Sequence, residues 1–364
     1  MQIIHLEASS GWGGQEIRIL REAEGMRARG HHITFAVMRG AKLVAKARSL
    51  GFTVYEVNFR RPYWIICLFQ LLRIFRKHHI DVVNTHSSLD SWIGGIAARL
   101  ARKKLVRTRH LSTPVKSGWN SRFIYGTLAD FVVTTCERVI EPLFNQSGKA
   151  RHLFQSIATG VDPQKITADP VKSEEFRQKI GATAKTFLVG TVCVMRSWKG
   201  IDDFIQAAHI LRNQVDLKWV IIGGGHEEKY RMLAKKLELE GIVEFTGHLD
   251  DPFSEMGALD AFALLSTANE GVSQAILQAA YLKKPLIATK TGGLSEVCIQ
   301  DQTGKNVEIR SPEQIAKAVL EMKENRALCI KYGQQAHQLV INQFTFERTL
   351  DEMEKVFERV SALN

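Results

Sequence analysis

The run Asn269-Glu270-Gly271-Val272-Ser273-Gln274 lies between an apolar, strand-like segment (Ala261 to Ser266) and a helix expected over Gln274 to Leu282. A turn that opens a helix presents unpaired backbone N–H groups and the positive end of the helix dipole, which suits a phosphate or a sugar hydroxyl. Glu270 adds a fixed acceptor beside the N–H groups of Gly271, Val272 and Ser273, and Gln278 on the helix can both donate and accept. The bland alternative is an ordinary strand-to-helix loop. Arg196 and Lys199, in Met195-Arg196-Ser197-Trp198-Lys199-Gly200, follow another apolar run directly. Two cations three residues apart can neutralise a diphosphate that gathers charge as it leaves; the alternative is a pair of solvated surface cations. His110 follows the run Leu105 to Arg109, where an imidazole can exchange a hydrogen bond with a hydroxyl near neutral pH or be a loop histidine in a basic patch. His86 stands in a similar place with a weaker claim. In Ser9-Ser10-Gly11-Trp12-Gly13-Gly14, Gly13 and Gly14 let backbone come close to a bound group, with Glu16 just behind. No D-x-D occurs in the chain, so no metal is expected and cations of the protein must hold any phosphate.

These residues need strands to carry them. Short apolar runs recur at Ile3–Leu6, Ile33–Met38, Thr53–Val57, Asp81–Thr85, Leu105–Arg109 and Phe131–Thr135, with helical segments between them. The pattern repeats at Phe187–Val194, Lys218–Ile222, Glu244–Thr246, Ala261–Leu265 and Pro285–Thr289. Continuous apolar strands alternating with helices predict α/β architecture with parallel sheets covered on both faces. Two Rossmann-like domains follow, with ligands at the carboxyl ends of the strands. The polar stretch Ala158 to Ser173, with Pro163 and Pro170, reads as the linker. Residues 1–165 are expected to form an N-terminal domain that binds the acceptor, 166–343 a C-terminal domain that binds the donor, and 344–364 a final helix. That helix, about Thr345 to Leu363, is amphipathic, with Leu350, Met353, Val356, Phe357 and Val360 on one stripe.

A chain of 364 residues, 45% hydrophobic and 24% charged, is too long for one ordinary core. Cys67, Cys136, Cys193, Cys298 and Cys329 show no C-x-x-C spacing, which suits a reducing compartment and argues against a metal cage. The opening Met1-Gln2-Ile3-Ile4-His5 turns polar quickly, so no secretory signal is expected. The longest apolar run, Tyr63 to Phe69, is far short of the ~18–20 residues of a spanning helix. A cytoplasmic protein is expected.

The charge is uneven. Residues 1–165 carry 25 Lys+Arg against 11 Asp+Glu, a net of +14, while residues 166–364 carry 24 against 27, a net of −3. The first half should therefore meet something anionic. Arg60-Arg61-Pro62-Tyr63-Trp64 joins cations and aromatics at a helix start, with Arg73, Arg76 and Lys77 beyond it, and reads as a tip for an anionic membrane face. A helix packed on the sheet with a solvated basic end is the alternative. Nucleic acid is disfavoured as a partner, because the basic residues are spread over several helices. A NAD-dependent oxidoreductase, the other enzyme class two such domains suggest, lacks a G-x-G-x-x-G. A non-catalytic polyanion-binding protein is the remaining alternative.

The order Gly13-Gly14-Gln15-Glu16, His110, Arg196…Lys199-Gly200, Gly223-Gly224-Gly225, Glu270-Gly271 and Gly292-Gly293-x-x-Glu296 resembles family 4 of the retaining glycosyltransferases with the GT-B fold. The resemblance covers nearly the whole chain, including Phe344-Thr345-Phe346-Glu347-Arg348 before the last helix. It implies two Rossmann-like domains facing a central cleft, with the last helix crossing back to the first. It also implies transfer of a sugar from a nucleotide-sugar donor, with retention, to a glycan or lipid-linked acceptor such as a growing lipopolysaccharide. By resemblance Arg196 and Lys199 hold the donor diphosphate, and Glu270 with Gly271, Val272 and Ser273 positions the sugar hydroxyls. His110 would lie near the sugar 6-hydroxyl, Gly13 and Gly14 would close over the phosphates, and Gly224 would belong to the donor site. The family pattern is E-x7-E, its second glutamate on the ribose hydroxyls. Gln278 stands there in this chain, which weakens that contact by removing its charge.

Overall fold

The computed structural model describes residues 1–110, 115 and 118–362. The chain divides into two compact units, Met1–Ala158 with Glu347–Asn364, and Thr159–Phe346. The division falls inside the stretch read as the linker. Part of that stretch is ordered: Asp169 caps a helix, Pro170–Lys179, whose first position is the proline. A proline there loses no hydrogen bond that the helix needs.

The first unit is built on a seven-stranded sheet, β1 (Gln2–Glu7), β2 (His32–Met38), β3 (Thr53–Val57), β4 (Val82–Thr85), β5 (Lys104–Arg109), β6 (Phe131–Thr134) and β7 (Phe154–Ser156). All pairs are parallel and the order is β3-β2-β1-β4-β5-β6-β7. Ile3, Ile4, Phe35, Val83, Val106 and Val132 are fully buried. Strands buried on both faces cannot alternate apolar and polar residues, which is why these runs read as continuous. Helices α1 (Gly14–Ala28), α2 (Lys42–Ser49), α3 (Trp64–Lys77) and α4 (Ser88–Leu100) make the first crossovers. α3 buries Cys67, Leu71, Ile74 and Phe75, a stripe at helical spacing.

The final helix, Phe346–Ser361, belongs to this unit, burying Leu350, Met353, Val356, Phe357 and Val360. Gly25 on α1 makes room for it, since a Cβ there would stand 2.4 Å from a Leu350 methyl. Arg29 fixes its register through Glu347, Asp351 (2.7 Å) and Glu354 (2.8 Å).

The second unit carries a six-stranded parallel sheet, β8 (Phe187–Val192), β9 (Leu217–Ile222), β10 (Val243–Gly247), β11 (Ala261–Leu264), β12 (Leu286–Thr289) and β13 (Gly304–Val307), ordered β10-β9-β8-β11-β12-β13. Its core gathers Phe187, Ile205, Trp219, Ile221, Ala263 and Val319. In each sheet the order reverses at one point, between β1 and β4 and between β8 and β11. Loops leaving the carboxyl ends of strands on either side of such a reversal part from one another and leave room for a ligand. Every candidate residue except those of the Arg60–Trp64 tip lies on or just beyond such a loop or its neighbour.

Candidate active site

In the second unit the loop after β8 supplies Arg196 and Lys199, and the loop after β11 supplies Glu270. Two glycines bring these loops together. Gly200 adopts φ +67°, and a Cβ there would lie 2.0 Å from the Leu265 carbonyl oxygen. Gly292, at φ +55°, passes so close to Glu270 that a Cβ would meet its carbonyl oxygen at 1.7 Å. Only glycine combines a left-handed backbone with that approach. The Thr267 N–H donates to the Trp198 carbonyl at 2.8 Å, and the Thr289 hydroxyl to the Ser266 carbonyl at 2.6 Å, which ties the turn into the sheet end.

Glu270 is buried. One carboxylate oxygen forms an ion pair with the Lys199 ammonium and accepts the Ser266 hydroxyl at 2.7 Å. Arg196 is placed differently: it is exposed and its guanidinium lies 5.3 Å from the Trp198 ring centroid. The structure thus unites Lys199 with Glu270 and leaves Arg196 outside that pair. Burial pushes the neighbouring Cys193 thiol up to about 11, with Lys199 pulling the other way, so it stays protonated at neutral pH. The Cys193 thiol is therefore not presented as a thiolate nucleophile.

Asn269 takes φ +60°, and the turn continues through Gly271, Val272 and Ser273, the last standing at the N-cap of the helix Gln274–Tyr281. The Gln274 amide donates to the Thr159 carbonyl at 2.5 Å, anchoring the helix start. Gln278, one turn on, is half-buried. Gly224 lies in the loop after β9, where its carbonyl accepts the Met195 N–H at 2.7 Å and so braces the loop that carries Arg196.

In the first unit His110 is half-buried at the end of β5, and the structure joins it directly to His86. Nε2 of His110 lies 2.9 Å from Nδ1 of His86, and Nε2 of His86 lies 2.9 Å from Nδ1 of His5 on β1. Burial, then the charges of Arg18, Arg107 and His5, hold His110 well below the usual imidazole range. Burial does the same for His86, helped by His110, His5, Arg107 and Arg18, and it lowers His5 to about 3. All three rings are neutral near pH 7.

Gly13 and Gly14 open α1. The Gly13 N–H donates to the Glu16 carboxylate at 2.8 Å, which is half of a capping box because glycine has no side chain to return the bond, and Gly14 is exposed. The turn before them is held by Glu7, which accepts the Ser9 N–H at 2.7 Å, the Ser87 hydroxyl at 2.5 Å and the Gln15 amide at 2.6 Å. Asp90 in turn caps α4, accepting the N–H groups of His86 and Ser87, each at 2.9 Å. Burial, then the Glu7 charge, pushes Asp90 up to about 8. Sequence reasoning missed Glu7, Ser266 and the part played by His5. Asp90 had a readable signal, because Ser87 and Asp90 stand three apart before an apolar run, as a capping box requires.

The membrane tip needs one adjustment. Arg60 and Arg61 are exposed, but Trp64 is half-buried, stacked on Trp92 with its indole N–H on the Phe59 carbonyl at 2.8 Å. The exposed apolar surface there is Tyr63 of the tip together with Ile65, Ile66 and Phe69 on the turn of α3 that follows. Among the described residues no helix is long and apolar enough to cross a membrane, and no group of three His, Cys, Asp or Glu could hold a metal ion.

Two parallel, doubly wound units with a returning C-terminal helix define the GT-B class of glycosyltransferase folds. Anabaena HepE in complex with UDP superposes with a TM-score of 0.87, at 20% identity, over 99% of this chain and 100% of that one. The same protein with UDP-glucose gives 0.80 at 21% identity, over 100% of each chain. Residues 12–165 match the family model for Glycosyltransferase Family 4, and residues 172–339 that for Glycosyl transferases group 1. The chain belongs to the family 4 type of GT-B glycosyltransferases. An uncharacterized glycosyltransferase of Methanocaldococcus jannaschii is 27% identical over 84% of this chain and 80% of its own length. The UDP-Gal:α-D-GlcNAc-diphosphoundecaprenol α-1,3-galactosyltransferase of Escherichia coli is 26% identical over 80% and 78%.

Proposed function

We propose that this glycosyltransferase moves a sugar from a nucleotide-sugar donor, with retention and without a metal, to a glycan or lipid-linked acceptor in polysaccharide or lipopolysaccharide synthesis. The observation that carries the reading is the Lys199–Glu270–Ser266 cluster at the reversal point between β8 and β11. Lys199 and Arg196 neutralise the donor diphosphate as the glycosidic C–O bond breaks. The acceptor oxygen bonds the anomeric carbon on the same face, and its proton passes to the departing phosphate oxygen. Glu270, held by Lys199 and Ser266, orients the sugar hydroxyls together with the N–H groups of Gly271, Val272 and Ser273. His110 hydrogen-bonds a donor-sugar hydroxyl, Gly13, Gly14 and Gly224 approach the donor, and Gln278 takes the ribose. Positioning and charge stabilisation, rather than a covalent intermediate, carry the rate. The complexes of Anabaena HepE with UDP and UDP-glucose, and the lipid-diphosphate acceptor in the name of the E. coli relative, support the substrate classes.

Thermal denaturation with UDP-, GDP-, ADP- and CMP-sugars in turn tests the donor. A true donor at a hundred times its Kd stabilises by about 2.7 kcal/mol, so one series should raise Tm by several degrees. No shift with any of them would sink the reading. The anomeric coupling of the product reports retention, and EDTA should leave the rate unchanged; a strict need for Mg²⁺ or Mn²⁺ would contradict the cation-only phosphate site.

Peripheral attachment to the cytosolic face of an anionic membrane accounts for the basic first half. The supporting observation is a cavity of about 780 Å³ lined in part by Ile66, Phe69, Arg73, Arg76 and Lys103, beside the exposed Ile65. Each cation near such a surface is worth about 1 kcal/mol. Vesicle flotation should show binding to anionic lipid, little to neutral lipid, and release by salt. Equal binding to both would point to a soluble acidic acceptor instead.

A further inference from the structure

Three histidines of the first unit, His5, His86 and His110, form a hydrogen-bonded chain with two ends. His5, His86 and His110 offer six ring nitrogens and, being neutral, three protons. Four of the nitrogens are paired in the two 2.9 Å contacts. The fifth, Nε2 of His5, is sealed in the core with no hydrogen-bond partner among the described residues. The sixth, Nδ1 of half-buried His110, is the open end. A chain of neutral imidazoles has only two consistent proton arrangements, because each ring that donates on one side must accept on the other. With every proton on Nε2, His5 would bury an orphan N–H and His110 would present a bare acceptor. With every proton on Nδ1, the sealed nitrogen of His5 is a lone pair and His110 presents an N–H. Orphaned buried N–H groups are rarer than under-satisfied acceptors, so the second arrangement is favoured.

We propose that His5 and His86 are positioning residues that fix His110 as its Nδ1–H tautomer, so that it meets the substrate as a hydrogen-bond donor to an oxygen. The rings meet edge to edge: the His5–His86 centroids are 5.2 Å apart with planes at 10°, and those of His86 and His110 are 5.1 Å apart with planes at 35°. Phe35 closes the buried end against His5 at 5.5 Å. The last step, from tautomer to substrate, rests on the proposed contact between His110 and the donor sugar. A chain that donates at its open end favours a sugar with a hydroxyl oxygen there and disfavours one in which that position carries only hydrogen.

The tautomers are read directly by long-range ¹H–¹⁵N correlation spectra of the full chain labelled with ¹⁵N-histidine, assigned through single variants. All three rings should be neutral and Nδ1-protonated at pH 7. An Nε2-protonated His86 or His110 would overturn the proposal without any variant having to fold. His5→Phe keeps the buried ring and removes the donor. It should return His110 to a mixture of tautomers and lower kcat about tenfold or more, with a smaller change in KM. His5→Asn, whose amide can replace the Nδ1–H donor, should restore the single tautomer and most of the turnover. Unchanged tautomer and turnover in His5→Phe would also overturn the proposal. The underlying substrate contact is tested separately by His110→Phe: normal turnover there, with wild-type tautomers as expected, would remove His110 from the sugar and leave the histidine chain intact.

Discussion

The carboxyl ends of the two sheets are built from different materials. At the carboxyl ends of β1, β4 and β5 the first unit buries titratable side chains against one another, with Glu7, Asp90, His5 and His86 all buried. Beyond β8 and β11 the second unit uses backbone approach at Gly200 and Gly292 and one half-shielded ion pair, Lys199–Glu270. The first arrangement depends on which groups hold protons. The second depends on there being no Cβ at two positions and on two opposite charges staying together. The difference teaches where each unit is fragile: the first to pH, the second to substitution.

The largest expected effects lie in the second unit. Lys199→Ala and Arg196→Ala should each cut turnover a hundredfold or more, the scale of losing ~3 kcal/mol of charge stabilisation at a leaving group. Glu270→Gln should lose at least as much, since it also leaves the Lys199 ammonium without its counter-charge. Circular dichroism should show all three folded. The structure sharpens this series, because Arg196 is exposed and outside the ion pair. If Arg196→Ala kept near-normal turnover while Lys199→Ala did not, the phosphate role would narrow to Lys199 alone.

The second effect separates the units by pH. A histidine whose folded pKa lies below its unfolded value of about 6.5 stabilises the fold above pH 6.5 and loses that contribution as pH falls. For His5, lowered to about 3, the loss runs from pH 6.5 down to about 3 and amounts to roughly 5 kcal/mol at 1.4 kcal/mol per pH unit. His86 and His110 move in the same direction. Asp90, raised to about 8, acts oppositely: its contribution is present at low pH and is lost as pH rises from about 4 to 8. Glu7 and Glu22, raised by burial, act with Asp90. If the three histidines outweigh these carboxyls, acid should open the first unit before the second. Hydrogen exchange read by mass spectrometry should show peptides from 1–158 losing protection first between pH 6 and 4. Simultaneous loss in both units would mean that the buried histidines do not govern acid stability.

Much of the fold was legible because parallel strands buried on both faces leave apolar runs, as at β1, β2, β9 and β11, whereas the edge strands β3 (T-V-Y-E-V) and β10 (V-E-F-T-G) mix polar residues into theirs. β7 and β13 were missed for a physical reason. Phe154–Ser156 is only three residues long, and Gly304–Val307 is an edge strand reading Gly-Lys-Asn-Val, with no apolar run to see. The candidate site was legible where polar side chains and glycines coincide with a strand-to-helix turn, as at Glu270, Lys199 and Gly13. It was not legible where a side chain acts through a partner distant in sequence. His5 looks like any strand residue until it meets His86, eighty-one positions on. Trp64 reads as an exposed aromatic until Trp92 covers one face of it.

The smallest expected effect concerns Gln278, and it tests how far the second unit tolerates change once its two loops are fixed. Gln278 sits one turn beyond Gln274, whose amide is committed to the Thr159 carbonyl, so the two glutamines share a helix face but not a task. A neutral amide gives a ribose diol ordinary hydrogen bonds, whereas a carboxylate would give charge-assisted ones about twice as strong. Gln278→Glu should therefore tighten donor binding severalfold, and Gln278→Ala should weaken it by a similar factor, on the order of 1 kcal/mol either way. Neither should change kcat by more than a few-fold, because the ribose lies away from the bond that breaks and its contacts are alike in ground and transition states. Isothermal titration with the donor identified by thermal shift, set beside steady-state kinetics, separates the two quantities. Unchanged affinity in Gln278→Ala would take the ribose away from this residue, and a large fall in kcat would place Gln278 beside the reacting sugar instead.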